Sequence, residues 1–530
     1  MEVAMSNEWK GFVPVKESLR TMLGDDYIQR VLTAASYFEP WRKAELDAAA
    51  DELVDFHPDV MQKHADELLR SVGTVVCPSL AESSPGAPTD AFRKAQNIKA
   101  SPLVGYSFLR IGEDGKLYLI SKSEHYHASL GHAFPGYRLI ENARKLGIAN
   151  ITHNNTRGHI QRLLEHELVR VVNSIPAGPA AGKLVDEAIA SSKPHVLNRV
   201  INLETGSIAC EAALKIMLAR FYSHEANGKD PEFSGKIPVI LVMADNTDGL
   251  QANYHGTNIL NQMLRGMWPS MYAKLEAAGA MVVKAVKIND IAHFKETVEA
   301  WDSGSYKIAG FFHEIILMNY GAIKLGKEYL QEAYRICNAH DIPVCCDEIQ
   351  SCIWYPGLFL FSEYGLKPDF VTLGKGFPGG QYPASKVITT AAMDNLSQFG
   401  ALVTNGQEEL AAIAYLVTMR YALANEEPTR DIGDQFEAAL RAAAARHPAL
   451  VNKVEGFRLL SSLYFHDPEK AIAFVRILNK ECIDISAHTY KANCEPSALL
   501  KLPLTASAAM ADFLVGRVEK ALAELDAGGK

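Results

Sequence analysis

From about residue 150 to about residue 425 the chain alternates short apolar runs with helical or loop stretches, and this rhythm limits the possible folds more than any other feature. The runs are Val200–Leu203, Val239–Met243, Met281–Val286, Ile308–Phe312, Val344–Cys346 and Phe370–Leu373. Runs this short and this apolar, separated by helix-length segments, predict an α/β fold with a mostly parallel sheet covered by helices on both faces. Ligands of such sheets sit beyond the carboxyl ends of the strands, so functional residues are expected just after the runs.

The flanks read differently. Between Lys16 and Val72, positions Leu46, Ala49, Ala50, Leu53 and then Val60, His64, Leu68 fall three or four apart with charges between them, which predicts helices. Cys77 to Pro88 reads as a loop. Leu103–Ile111 and Leu117–Ile120 flank the turn Gly112-Glu-Asp-Gly-Lys116, a hairpin signal. After Asn425 a helix (Phe436 to Arg446), short strands such as Leu459–Phe465 and a last helix (Ala506 to Leu525) predict a small α+β lobe. The expected organisation is a helical extension over 1–98, a first part of a small domain over 99–150, a large domain over 151–425 and the rest of the small domain over 426–530.

Charge and cysteine usage exclude several functions. The 62 acidic residues outnumber the 53 Lys and Arg, for a formal charge of -9, so no basic field attracts nucleic acid. Neither Met1 to Lys16 nor any later segment has the apolar run of a leader or a membrane span, which predicts a cytoplasmic protein. The eight cysteines are scattered, and Cys345 and Cys346 adjoin on a strand, so reduced thiols are expected. A metal site is not expected: no cysteine pairs have zinc spacing, and His125, His127 and His132 cluster in a loop without carboxylates at ligand spacing.

Three segments carry chemistry. Val344-Cys-Cys-Asp-Glu-Ile-Gln350 is a strand ending in acids, and an ionised Asp347 there can keep a pyridine nitrogen protonated. Taken alone, Asp347 could equally cap the next segment. Phe370-Val-Thr-Leu-Gly-Lys-Gly376 ends in a lysine between glycines, whose amine can be held unprotonated and aimed at an aldehyde. A nucleotide phosphate loop is disfavoured, because Asp369 and Gly376 stand where that loop needs Gly and Ser or Thr. Glu204-Thr-Gly-Ser207 leads from a strand into a helix, where Gly206 and Ser207 with free amides make a phosphate seat or a plain N-cap. The order phosphate seat, acid, lysine answers the needs of pyridoxal 5′-phosphate.

These residues resemble the class III aminotransferases, the ornithine, acetylornithine and ω-amino-group transaminases of fold type I, over roughly residues 110 to 525. The resemblance implies a Schiff base on Lys375, an Asp347 that pairs with the cofactor's pyridine nitrogen, and a Gln350 near its phenolic oxygen. It also implies phosphate contacts from Gly206 and Ser207, a ring of Tyr254 stacked on the cofactor beside His255, and a homodimer in which Thr404 reaches the neighbouring subunit's phosphate. Gly379-Gly-Gln-Tyr-Pro383 and Leu130-Gly-His132 are similar to further family segments.

The departures fall on the substrate side. Trp354 and Tyr355 stand at the places of a family Gly and Arg, Asn319 at the place of a gating acid, and Lys501 at the place of a C-terminal Arg that takes substrate carboxylate. A lysine offers a point charge without the bidentate fork. The resemblance implies transamination between an amine or amino acid and a 2-oxo acid. A racemase or epimerase, decarboxylase, lyase or aminomutase uses the same fold and cofactor, and a non-catalytic binding protein is the alternative outside enzymes.

Overall fold

Seven strands form the central sheet, in spatial order Leu197–Leu203, Ser385–Thr390, Phe370–Leu373, Val344–Asp347, Tyr306–His313, Ile237–Ala244 and Val282–Lys287. The computed structural model describes residues 11–150, 153–226, 228–244, 252–489 and 494–528. The chain's first ten residues, part of the stretch read above for a leader, lie outside the described residues, as do 151–152 at the expected start of the large domain.

All six expected apolar runs are strands. The seventh, Ser385–Thr390, escapes an apolar pattern because Ser385, Lys386, Thr389 and Thr390 are polar although buried. Hydrogen bonds compensate: Lys386 Nζ donates to Asn202 Oδ1 at 2.5 Å and Thr389 Oγ1 to the Asp369 carbonyl at 2.9 Å. This strand runs antiparallel to both neighbours, while the other pairings are parallel.

Register decides which residues share an edge. Cys346 pairs with His313 and Asp347 with Thr372. Three adjacent strands therefore end level, and their next residues, Glu314, the acids from Asp347 and the Lys375 loop, emerge side by side. The helix Gly206–Leu218 packs on the sheet through Ala209, Cys210, Ala212, Ala213 and Met217, all fully buried. Small residues let it approach closely.

The small domain draws on both ends of the chain. One four-stranded sheet joins Pro102–Tyr106, Leu109–Gly112 and Leu117–Ile120 to the C-terminal Ile483–Asp484, which runs parallel to Leu117–Ile120. A second comprises Val451–Phe457, Leu460–Phe465, Ser497–Lys501 and Ser486–His488. Helices Glu426–Ala445, Pro468–Lys480 and Ala508–Gly528 cover them.

The N-terminal extension is helical over Leu19–Leu23, Asp25–Phe38, Lys43–Asp51 and Asp59–Leu68, with one exception to the helical expectation. Lys16–Glu17 pairs antiparallel with Val54–Asp55, closing the helices into a loop. Ser18 and Thr21 cap the first helix reciprocally. The extension belongs to the main core, since Leu19, Ile28 and Phe56 pack in the same cluster as Phe134 and Tyr421. The amide of Val13 also bonds Asn425 Oδ1 at 2.7 Å.

Candidate active site

A cavity of about 570 Å³ opens above the level strand ends, and Lys375, Asp347, Gln350, Gly206, Ser207, Tyr254 and His255 all line it. Asp347 is 3% exposed and receives hydrogen bonds on both oxygens. His255 Nδ1 donates to Oδ2 at 2.7 Å, with the Cys210 thiol 3.5 Å from the same atom. The Thr372 hydroxyl and the Ile349 amide donate to Oδ1, each at 3.1 Å. Four donors on one buried carboxylate fix its direction. Cys210, His255 and Asp347 present ligand atoms within 4.8 Å of one another, a set able to hold a metal ion, but here those atoms are engaged with each other.

Lys375 follows its strand with φ +45°, between Gly374 and Gly376. The loop is tightly backed: a Cβ on Gly376 would stand 3.0 Å from both Ser129 Cβ and Trp354 Cη2. The Ser129 hydroxyl donates to the Gly376 carbonyl at 2.5 Å. Burial pushes the Lys375 amine below the ordinary lysine range, against the pull of Glu314 and Asp347.

The residues fit a phosphorylated pyridine aldehyde. At the start of helix Gly206–Leu218, Thr205 makes no side-chain cap, leaving the first amides for an anion. A side chain on Gly206 would collide with Ile349. The facing loop needs Gly256, at φ +141°, whose Cβ would lie 2.7 Å from Ser207 Cα. Ser207 Oγ accepts from the Thr257 amide at 3.0 Å, tying the two loops into one seat. Gln350 Oε1 is buried without a hydrogen-bond partner among the described residues, an acceptor open to a donor. Tyr254 is half-buried, with the Arg265 guanidinium 5.3 Å from its ring centre.

Five residues singled out from the sequence lie away from the cavity wall. Trp354 is buried, donates Nε1 to the Leu502 carbonyl at 2.9 Å and lies under Lys501 Nζ at 4.0 Å. Tyr355 stacks on Phe457 at 5.4 Å and donates to its carbonyl. Both aromatics join the large domain to the small one. Lys501 is 0% exposed and donates to the Gln350 carbonyl at 2.9 Å. Asn319 Oδ1 accepts from the Tyr254 amide at 3.3 Å, so it supports the loop bearing Tyr254. Thr404 is exposed in a turn whose next residue, Asn405, donates its amide to Glu204.

Glu314, Glu204 and His127, to which sequence reasoning gave no site role, all line the cavity. Glu314 is buried, and burial with the nearby Asp347 charge holds its carboxyl well above the usual range. The signal was available, since Glu314 follows the strand Tyr306–His313 as Asp347 ends its own. Cys210 and Thr372 support Asp347 through the register of helix and strand, which no local pattern reveals. The three clustered histidines part ways. His125 bonds the Lys501 carbonyl, His127 faces the cavity, and His132 pairs with Glu124 at 2.8 Å, a carboxylate neighbour that the sequence reading had discounted.

The model of the family "Aminotransferase class-III" matches residues 136–522. The chain is 28% identical over 275 residues to the ornithine aminotransferase of Schizosaccharomyces pombe, a stretch covering 50% of this chain and 58% of that protein. It is 26% identical over 323 residues to an acetylornithine aminotransferase of Nostoc sp., covering 60% and 70%. The chain thus spans less than two thirds of the first of these relatives. The crystal structure of the ornithine aminotransferase from Toxoplasma gondii superposes with a TM-score of 0.63 at 18% identity, over 88% of this chain and 96% of that one, and so shares the fold. The chain belongs to the class III aminotransferase family, whose members are pyridoxal 5′-phosphate enzymes of fold type I.

Proposed function

We propose that the chain is a pyridoxal-phosphate-dependent transaminase that moves an amino group between an amine or amino acid and a 2-oxo acid. The observation that carries this reading is the presence in one cavity of a fixed carboxylate, Asp347, and a partly desolvated amine, Lys375, at the ends of adjacent strands. When bound, the cofactor supplies an electron sink for negative charge developing on a substrate carbon. Asp347, held by four donors, offers the fixed anion that a protonated pyridine nitrogen needs. Gly206, Ser207 and Thr257 take the phosphate, and Gln350 accepts a hydrogen bond through Oε1. Lys375 supplies the nucleophilic amine and, unprotonated, removes the proton from the substrate carbon bearing nitrogen.

The working unit is a homodimer in this reading. Thr404 supports it, being exposed and off the cavity wall of its own chain, as a residue serving a neighbour would be. A cytoplasmic setting is supported by eight cysteines that are all free thiols. No helix of the described residues is long and apolar enough to cross a membrane.

One observation favours a second reading, an enzyme with a single substrate such as a racemase or decarboxylase. Asn319 carries no charge and is tied to the Tyr254 amide and the Ala252 carbonyl, so it cannot cover and uncover a cation between two half-reactions. A single-turnover reaction of cofactor-loaded protein with a panel of amines decides. Accumulation of pyridoxamine phosphate with one equivalent of carbonyl product is the expected result. Return of the aldehyde form without that product overturns transamination. Borohydride reduction and peptide mapping should tag Lys375 alone.

A further inference from the structure

Three different donor atoms meet at the floor of the cavity. The Cys210 thiol comes from the helix Gly206–Leu218, the His255 imidazole from the loop that bears Tyr254, and the Asp347 carboxylate from the end of the strand Val344–Asp347. Each offers one ligand atom, and the three atoms lie within 4.8 Å of one another. The thiol is 3.5 Å and His255 Nδ1 2.7 Å from the same oxygen, Asp347 Oδ2. All three residues are buried, yet Asp347 and His255 line the cavity, so the cluster can be reached from it. Spacing in the sequence could not show this set, since Cys210 and His255 lie 137 and 92 positions before Asp347.

Sulfur, nitrogen and oxygen together select the metal. Magnesium and calcium take oxygen ligands, whereas zinc takes thiolate, imidazole and carboxylate in one site. Zinc bonds of about 2.0 to 2.3 Å set tetrahedral ligands roughly 3.3 to 3.7 Å apart. The thiol and carboxylate already stand at that spacing. His255 Nδ1 needs to draw back from Asp347 by about 0.6 Å to reach it. Water from the cavity completes the four ligands.

Asn253 offers the outer support that such a site needs. A metal on His255 Nδ1 requires the ring proton on Nε2, and a ligating histidine donates that proton to a nearby oxygen. The Asn253 amide nitrogen lies 3.5 Å from His255 Nε2, and Asn253 Oδ1 is buried without a hydrogen-bond partner among the described residues. Turning this amide over presents its oxygen to Nε2.

We infer that Cys210, His255 and Asp347 form a zinc site that competes with the cofactor, so that zinc holds the protein in its cofactor-free state. The inference rests on the reading in which Asp347 serves the pyridine nitrogen. A dication on that carboxylate neutralises the anion and repels a protonated ring nitrogen, so the two cannot share it. On binding, the ring proton moves from Nδ1 to Nε2 and the thiol proton leaves for solvent, which puts a thiolate on the metal.

The test uses cofactor-free full-length protein stripped of metal with a chelator. Zinc chloride should bind with one equivalent that depends on Cys210, and cobalt(II) in its place should show thiolate-to-metal absorption in the near ultraviolet. Cys210→Ser should abolish that absorption and weaken zinc about a hundredfold, while Asn253→Ala should weaken zinc about tenfold and keep the absorption. Pyridoxal phosphate should raise the apparent zinc dissociation constant in proportion to its concentration. A wild type without the thiolate absorption overturns the inference, as does equal zinc affinity in wild type and Cys210→Ser, or zinc and cofactor bound together on one chain. Borohydride trapping in zinc-free protein reports the cofactor separately. If it leaves Lys375 unmodified, the cofactor reading fails while the cobalt spectrum still decides the metal site.

Discussion

His255 Nδ1 lies 2.7 Å from Asp347 Oδ2, and the two residues are 2% and 3% exposed. The histidine follows Tyr254 in the loop that helps make the phosphate seat, while the carboxylate ends a strand of the sheet floor. One hydrogen bond therefore couples the two ends of the cavity.

Breaking this pair should separate chemistry from folding. Asp347→Asn keeps shape but loses the anion and the acceptor for two of its four donors, so conversion of bound cofactor by the best amine should slow on the order of a hundredfold or more. His255→Gln should cost less, since Thr372 and the Ile349 amide still orient the carboxylate. Stopped-flow absorbance at saturating amine reads both rates. Equal losses in the two variants would show that direction, not charge, is what Asp347 supplies.

The phosphate seat depends on bare backbone. Gly206→Ala places a methyl against Ile349, and Gly256→Ala also forces an alanine to φ +141°. Both should weaken cofactor affinity by about tenfold or more, with Gly256→Ala the worse. Equilibrium dialysis against pyridoxal phosphate checks this. Inorganic phosphate should compete in the wild type and lose potency in both variants.

Trp354 packs against Gly376, caps the amine of Lys501 and bonds Leu502, so its loss should register in stability. Trp354→Ala is expected to destabilise by about 3–5 kcal/mol in urea unfolding. A variant of undiminished stability but altered amine preference would return Trp354 to the substrate-facing role suggested by its place in the sequence.

Glu348 is fully buried beside Asp347, accepting from the Ser351 hydroxyl and from the Phe361 amide at 2.7 Å. Burial pushes its carboxyl up to about 7, offset in part by those bonds. The folded state thus holds a proton that the unfolded chain releases near pH 4.5. Its contribution is full below that pH and is lost as pH rises toward 7, of the order of 3 kcal/mol in all. Glu348→Gln should remove this slope. Urea midpoints at pH 5 and pH 7.5 that differ equally in wild type and variant would assign the pH dependence elsewhere.

Local patterning was enough to read much of the fold. Apolar runs marked six of seven central strands, because a strand buried on both faces needs apolar side chains throughout. It failed at Ser385–Thr390, where buried polar groups are satisfied by Asn202 and Asp369 far along the chain. It missed the pairing of Lys16–Glu17 with Val54–Asp55, since two-residue strands carry no periodicity.

The site divides in the same way. Lys375, Asp347, Gly206 and Ser207 were legible because each follows a strand and is marked by its neighbours: glycines around the lysine, an abrupt acid, a helix start. Their chemistry is local to their segments, and the sequence by itself determined the cofactor class. The substrate side was not legible, because a side chain's direction depends on what packs behind it. Trp354 and Tyr355 align with pocket residues, yet they turn into the seam between domains, where Leu502 and Phe457 offer carbonyls. Lys501 sits where a cation is expected, but full burial drives its amine well below the ordinary lysine range. Only the tertiary structure decided what surrounds that amine, because burial and the partners of a side chain are drawn from distant parts of the chain.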